Sequence, residues 1–116
     1  MAVDVSNGNV VWRRPLGVSD SLPEGKRDTG RPMMGAPIVT ASGLVFIAAT
    51  DDERFRALDV KTGKLLWETK LNAAGHGSPI TYGGKDGKQY VGLIATGGSF
   101  LGSPNTSDSL VVYALP

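Results

Sequence analysis

No cysteine occurs in this sequence, which excludes a disulfide framework, a thiolate metal site and a cysteine nucleophile. A cysteine-free chain is comfortable in any redox compartment, so this absence leaves its surroundings open. Histidine is nearly absent too. The single one, His76, has no Ser or Cys partner in any local motif and reads as a structural or surface residue rather than a catalyst. No apolar run approaches the roughly 20 residues of a membrane span. The opening residues MAVDVSNG have neither the basic nor the apolar region of a signal peptide, so any export signal or anchor is expected outside this stretch. Charge of one sign is also lacking, with 12 Lys and Arg against 11 Asp and Glu. Basic clusters interleaved with aromatics are missing as well, which excludes nucleic acid as a partner. No window repeats apolar residues at helical spacing over three turns. No glycine-rich phosphate loop precedes a helix, so Gly83-Gly84 and Gly97-Gly98 read as turns.

What is present is a succession of short β-rich runs between turn signals. Sixteen glycines and seven prolines in 116 residues imply many turns and short elements. Hydrophobic residues at 41% and charged residues at 20% are ordinary for one globular domain or a piece of one. The runs are 9–16, then 36–40, 43–49, 55–60 and 65–71, then 78–82, 89–95 and 109–115. Between the first and second lies a polar stretch from Gly17 to Arg31 that reads as a loop. Eight strands result, antiparallel by their short connections.

An internal repeat organises these strands. AVDVSNGNVVW at 2–12 and ALDVKTGKLLW at 57–67 lie in register 55 residues apart, matching Asp4 with Asp59, Gly8 with Gly63 and Trp12 with Trp67. A third copy starts at Ala114 and reaches Pro116, before the positions of the acid's turn and the tryptophan. Such a period points to a solenoid or a propeller. The residue types have physical roles. Ala57 lets a neighbouring sheet come close, and Asp59 can accept N–H groups of the turn it opens. Thr62-Gly63 reverses the chain with glycine at positive φ, and Trp67 can cover the gap between adjacent sheets. A plain hairpin with an incidental tryptophan is the alternative, and two copies in one register argue against it.

Ala-x-Asp-x-x-Thr-Gly-Lys-x-x-Trp at 57–67 resembles the tryptophan-docking motif of quinoprotein dehydrogenases, which use pyrroloquinoline quinone (PQQ). The first copy fits with Asn7 in place of Thr. GLVFIAATDDERFRALDVKTGKLLW, GKQYVGLIATGG and the ending SDSLVVYALP resemble the last blades of the same family, over residues 2–16 and 30–116. The likeness is strongest to the membrane-bound glucose dehydrogenase type. It implies an all-β fold of antiparallel four-stranded blades, about two blades of an eight-bladed β-propeller. Residues 1–116 are then a C-terminal portion, with 9–16 an outer strand, 36–71 a full blade and 78–115 an incomplete last blade. An unpaired β edge is a liability. Strand 9–16 is therefore expected to pair with 109–115 in isolation, or several copies to assemble into a ring-like form.

The resemblance also implies a division of chemistry. The family's catalytic Asp and Ca²⁺ ligands lie upstream of the matched region, so no catalytic residue and no metal ligand is expected here, and the isolated fragment is expected to be inactive. GRPMMGAP at 30–37 sits where relatives often carry a Gly-x-Pro-Asn-x-Gly-Gly pattern beside the cofactor, with Met33 in place of the Asn. Met34 and Gly35 become candidate apolar and backbone contacts to PQQ; the alternative is an ordinary lead-in to a strand. Membrane glucose dehydrogenases commonly carry GGHGS where this chain reads GGSFL, and that His is associated with substrate handling. Ser99 and Phe100 in its place suit another polyol or a cyclic hydroxy acid such as quinate, unless the loop at 97–108 is merely solvated. Asp52 reads first as a turn residue paired with Arg54 or Arg56. Two adjacent acids, Asp51 and Asp52, cannot both face one ion from extended backbone.

The resulting expectation is part of a periplasmic PQQ-dependent dehydrogenase. The intact protein would hold PQQ with Ca²⁺ or Mg²⁺, oxidise a sugar or polyol, pass electrons to ubiquinone and be anchored in the inner membrane, whereas the fragment alone would bind no cofactor. The remaining blades would be its partners. A rival reading is a non-catalytic propeller of PQQ-like repeats that binds proteins in outer-membrane assembly; GKQYV, the terminal YALP and the complete docking motif favour the enzyme.

Overall fold

A computed structural model describes residues 1–100 and 103–116. Every regular element among the described residues is a strand. They are β1 (Ala2–Val3), β2 (Val10–Trp12), β3 (Ile38–Val39), β4 (Leu44–Ile47), β5 (Arg54–Asp59), β6 (Leu65–Lys70), β7 (Ile80–Gly83), β8 (Gln89–Gly97) and β9 (Thr106–Ala114). All pairings are antiparallel: a β1-β2 hairpin, a four-stranded sheet β3-β4-β5-β6 and a three-stranded sheet β7-β8-β9.

The central strands β4 and β5 are buried on both faces, as the unbroken apolar run at 44–49 implies. Phe46, Ala48, Phe55 and Ala57 face the three-stranded sheet and pack with Val91, Leu93 and Ala95. Val45, Ile47, Ala49 and Leu58 point the other way, toward Trp12 and Leu16 of the N-terminal segment. The β1-β2 hairpin and β9 therefore lie on opposite faces of the middle sheet. This corrects the expected pairing of 9–16 with 109–115. β2 pairs with β1, six residues away through a tight turn, because local closure costs less entropy than a long-range strand exchange. Within 9–16 only Val10–Trp12 is strand. The outer edge of β9 has no partner strand among the described residues.

Both copies of the repeated motif build the same object. Asp4 Oδ1 accepts the Ser6 amide at 2.9 Å and its hydroxyl at 2.7 Å. Asp59 Oδ1 accepts the amides of Lys61 at 3.0 Å and Thr62 at 2.8 Å, and the Thr62 hydroxyl at 2.8 Å. Gly8 and Gly63 close the turns with φ of 75° and 69°, donating to the carbonyls of Asp4 and Asp59 at 2.7 and 2.8 Å. In each hairpin alanine stands opposite tryptophan, Ala2 with Trp12 and Ala57 with Trp67, and the ladder shifts register at the next step. That shared bulge turns both indoles toward the following sheet.

Trp12 shows what the turn is for. Its ring lies against Gly63 so closely that a β-carbon there would come within 2.5 Å of Cε3. Its Nε1 donates to Val60 O at 2.9 Å, and Arg14 adds a bond to Gly63 O at 2.8 Å. Trp67 points likewise at the next sheet, toward Tyr113. It meets Tyr113 edge-on with centroids 5.1 Å apart and Phe55 at 5.7 Å.

Gly8 and Gly63 share the left-handed backbone, but only Gly63 carries an indole. Gly8→Ala is expected to cost about 1 kcal/mol, the conformational term alone. Gly63→Ala is expected to cost about 3 kcal/mol, because the methyl group displaces Trp12 as well. Urea denaturation of the two variants measures the difference, and equal costs would remove the docking contact from the account.

Candidate functional site

The turns just described occupy one end of the sheets. At the other end, four non-strand segments converge: 31–37 before β3, 48–53 between β4 and β5, 71–79 between β6 and β7, and the loop after β8. Segment 31–37 is fastened to 49–51. Met33 bridges Thr50, the Met34 amide donates to Ala49 O at 2.9 Å, and the Asp51 amide donates to Pro32 O at 3.2 Å. Met34 and Gly35 remain exposed. Gly35 has φ 123°, and a side chain there would place its first carbon 2.5 Å from the His76 carbonyl oxygen. The candidate cofactor edge thus presses on the backbone of the chain's single histidine.

His76 in turn reaches the loop that carries the candidate substrate residues. Its Nε2 lies 2.7 Å from Ser103 Oγ, with Ser99 Oγ a longer 3.5 Å away. Nδ1 is buried with no hydrogen-bond partner among the described residues. Ser99 adopts φ 78°, a left-handed conformation uncommon for a serine. Phe100 beside it is 88% exposed. Both ends of the loop are pinned, by Gly97 N–H to Ala74 O at 2.8 Å and by Asn105 Nδ2 to Glu53 Oε1 at 2.6 Å. The expected loop spans 97–108, of which Leu101 and Gly102 lie outside the described residues.

Beneath these loops sits a charge network. Asp52, its side chain 2% exposed, takes the guanidinium of Arg56, which is 3% exposed. It also accepts the Thr50 hydroxyl at 2.6 Å and the Val18 amide at 2.7 Å. Arg56 extends to Glu68 at 2.8 Å, and Arg54 joins Glu68 at 3.2 Å and Asp20 at 2.9 Å. Asp51 faces elsewhere and holds Arg31 with two bonds of 2.8 Å. The two adjacent acids therefore diverge onto separate arginines, and together with Arg54 they strap the polar stretch 17–31 to the sheet end. Burial raises the Asp52 pKa, but the bonds from Arg56, Thr50 and Val18 outweigh it and hold the group below its ordinary 3.8. Among the described residues no three His, Asp or Glu side chains gather as a cation would require.

The structure thus joins Gly35, His76 and Ser99 in one chain of contacts, and leaves Phe100 and Met34 at its rim. Sequence reasoning missed Ser103, Asn105 and Glu53, and took His76 as isolated because its partners lie 23 and 27 residues away. Serines in a loop otherwise read as solvated were the only available signal.

Comparison with known proteins adds an independent line. Residues 1–91 match the family described as glucose/ethanol/alcohol dehydrogenase, beta-propeller domain, of the PQQ type. The chain is 43% identical to the glycerol dehydrogenase large subunit of Gluconobacter oxydans (strain 621H), over 99% of this chain and 16% of that protein. It is 40% identical to the quinoprotein glucose dehydrogenase of Escherichia coli (strain K12), over 99% and 15%. The same identity, over 98% and 15%, relates it to the quinate/shikimate dehydrogenase (quinone) of Acinetobacter baylyi. A europium-containing methanol dehydrogenase superposes with a TM-score of 0.56 at 43% identity, covering 63% of this chain and 13% of that one. The chain therefore spans 15–16% of the length of these curated relatives.

The Asp52 network makes a pH prediction. A carboxylate held below its ordinary 3.8 stabilises the fold fully above that pH, and the contribution disappears as pH falls through the lower folded-state value. Urea midpoints of wild type should therefore drop steeply below about pH 4. Asp52→Asn should lose about 3 kcal/mol at neutral pH, by leaving Arg56 short of its counter-charge, and show a flatter acid limb. Parallel acid limbs would exclude Asp52 as the titrating group.

Proposed function

The chain belongs to the PQQ β-propeller family of glucose, ethanol and alcohol dehydrogenases, and on that premise we propose that it forms part of a dehydrogenase oxidising a sugar, polyol or cyclic hydroxy acid. The observation that carries this reading is a match at about 40% identity along almost the whole chain to enzymes named for glycerol, glucose and quinate. Two structural features support membership in a larger ring. Trp12 seals one sheet onto the next through Gly63 and Val60. The outer face of the three-stranded sheet leaves Ile80, Ile94 and Leu110 more than half exposed, as a face awaiting another sheet would.

Bound PQQ supplies the two-electron acceptor for alcohol oxidation. The residues of this chain fit one wall of such a site and no more. Met34 offers a polarisable thioether and Gly35 exposed backbone, and these two would contact the cofactor. Ser99 and Phe100 are proposed to meet the substrate, the first through its hydroxyl and the second through its exposed ring. The general base and the cation ligands are assigned to the rest of the protein, so the isolated chain is expected to be inactive. The periplasm, a membrane anchor and a ubiquinone acceptor complete the proposal. The acceptor is supported by the quinone in the name of the Acinetobacter relative.

The test is reconstitution of the full-length protein with PQQ and Ca²⁺, followed by dye-linked assays on glucose, glycerol and quinate. Oxidation of at least one of them is expected, with none from residues 1–116 alone. Failure on every alcohol would favour a non-catalytic propeller.

A further inference from the structure

We propose that this chain associates with further copies of itself, head to tail. The outward face of the three-stranded sheet of one copy seats in the cleft between the β1-β2 hairpin and the four-stranded sheet of the next. Such association depends on the repeated packing of the sheets and not on any dehydrogenase activity.

One sheet-on-sheet contact is already made inside the chain. The four-stranded sheet turns the cross-strand row Ile38, Phe46 and Ala57 toward Val91 and Leu93 of β8. The three-stranded sheet has a row of the same make, Ile80 opposite Gly92 opposite Val112. Strand alternation puts that row, with Ile94 and Leu110, on the side away from Val91 and Leu93. Leu110 is 67% exposed, Ile80 60% and Ile94 57%. A β-carbon on Gly92 would meet Ile80 at 3.5 Å and Val112 at 3.7 Å, so these two side chains close over the glycine and the stripe is continuous. An apolar stripe of this kind on an outer sheet marks an interaction surface.

The receiving half of the contact is free as well. Val45 and Ile47 of β4 point away from the three-stranded sheet, as Val91 and Leu93 of β8 point toward the sheet before theirs. β4 and β8 each stand second in their sheets. Trp12 and Leu16 cover only part of the Val45 face. Beside them lies a cleft of about 770 Å³ lined by Trp12, Met33, Val39, Val45, Ile47 and Leu58. Val39 is 59% exposed there and Met33 48%. Each half of the internal contact therefore recurs once on the surface without its complement. The two halves lie on opposite sides of the chain, so one copy cannot join them. A second copy supplies the complement of each. Because the halves differ, the contact is heterologous and extends past a dimer.

Sedimentation velocity of the 116-residue chain should show its mass rising from monomer past dimer as concentration is raised. Leu110→Lys on the outward face and Val39→Lys in the cleft each bury an unpaired charge in the seam, and each should weaken association at least about tenfold. Both positions are exposed in a single copy, so urea midpoints should stay at the wild-type value. Ile80→Lys should repeat the Leu110→Lys result from another strand. Mixing the variants separates the possible geometries. Leu110→Lys keeps an intact cleft and Val39→Lys an intact face, so together they should form a one-to-one dimer that grows no further. A chain that stays monomeric at every concentration overturns the proposal and leaves both surfaces to other sheets of a longer protein. Association lost in Leu110→Lys but kept in Val39→Lys means face-to-face pairing and overturns it too. So does association that survives both lysines, as pairing along the open edge of β9 would, or a mixture of the two variants that stays monomeric.

Discussion

The contact on which the rest of this structure depends is an indole laid on a glycine. Trp12 leaves one hairpin and settles on Gly63 of the neighbouring sheet, with its N–H on the Val60 carbonyl. A half-buried indole contributes on the order of 2 kcal/mol from area alone. Its larger effect is geometric. Every other feature of the motif serves to make that landing possible. Asp59 gathers the turn's amide donors, Gly63 takes the left-handed backbone and withholds a side chain, and the bulge between Ala57 and Leu58 turns Trp67 toward the next sheet in the same manner. The unit both receives a tryptophan and offers one, a heterologous contact that propagates until the ring closes.

Because docking occurs at one end of the sheets, the other end is free to vary without loosening the stack. The loops there are held by charge rather than by apolar packing. Asp51, Asp52 and Arg54 each bind a different point of the stretch around 17–31, and Glu53 ties down Asn105. A fully buried ion pair is a poor source of net stability, since desolvation offsets most of its attraction. Its value in this position is orientation: a guanidinium shared among Asp52, Thr50 and Glu68 leaves the adjoining backbone few alternatives.

The parts of this architecture legible in the sequence were those written in local patterns. The motif within each copy of the repeat, the turn chemistry of Asp59 and Gly63, the apolar run at 43–49 and the antiparallel hairpins all depend on residues within about a dozen positions of one another. The partner of strand 10–12 was misjudged because pattern alone does not reveal which face of the middle sheet an element covers. Phe46 and Val45 are both apolar, and only the packing shows that they face the three-stranded sheet and Trp12 respectively. The contact of His76 with Ser103 was illegible for the same reason. Its link to Ser103 spans 27 residues and crosses from one sheet's exit to another sheet's loop, a relation no spacing rule encodes. Asp52 was legible in type, as an acid engaging a nearby arginine, but not in degree. Its burial depends on stretch 17–31 folding over it.

This separation of ends has a consequence for how such a chain changes over time. A substitution in the docking turn is met by the next sheet's indole and is felt by the whole stack. A substitution at Phe100, which is 88% exposed, meets mainly solvent. The loop can therefore exchange side chains at little cost in stability while its two ends stay tied to Ala74 and Glu53. A rigid seam of docked indoles carries the fold, and the loops at the opposite end are held separately by charge.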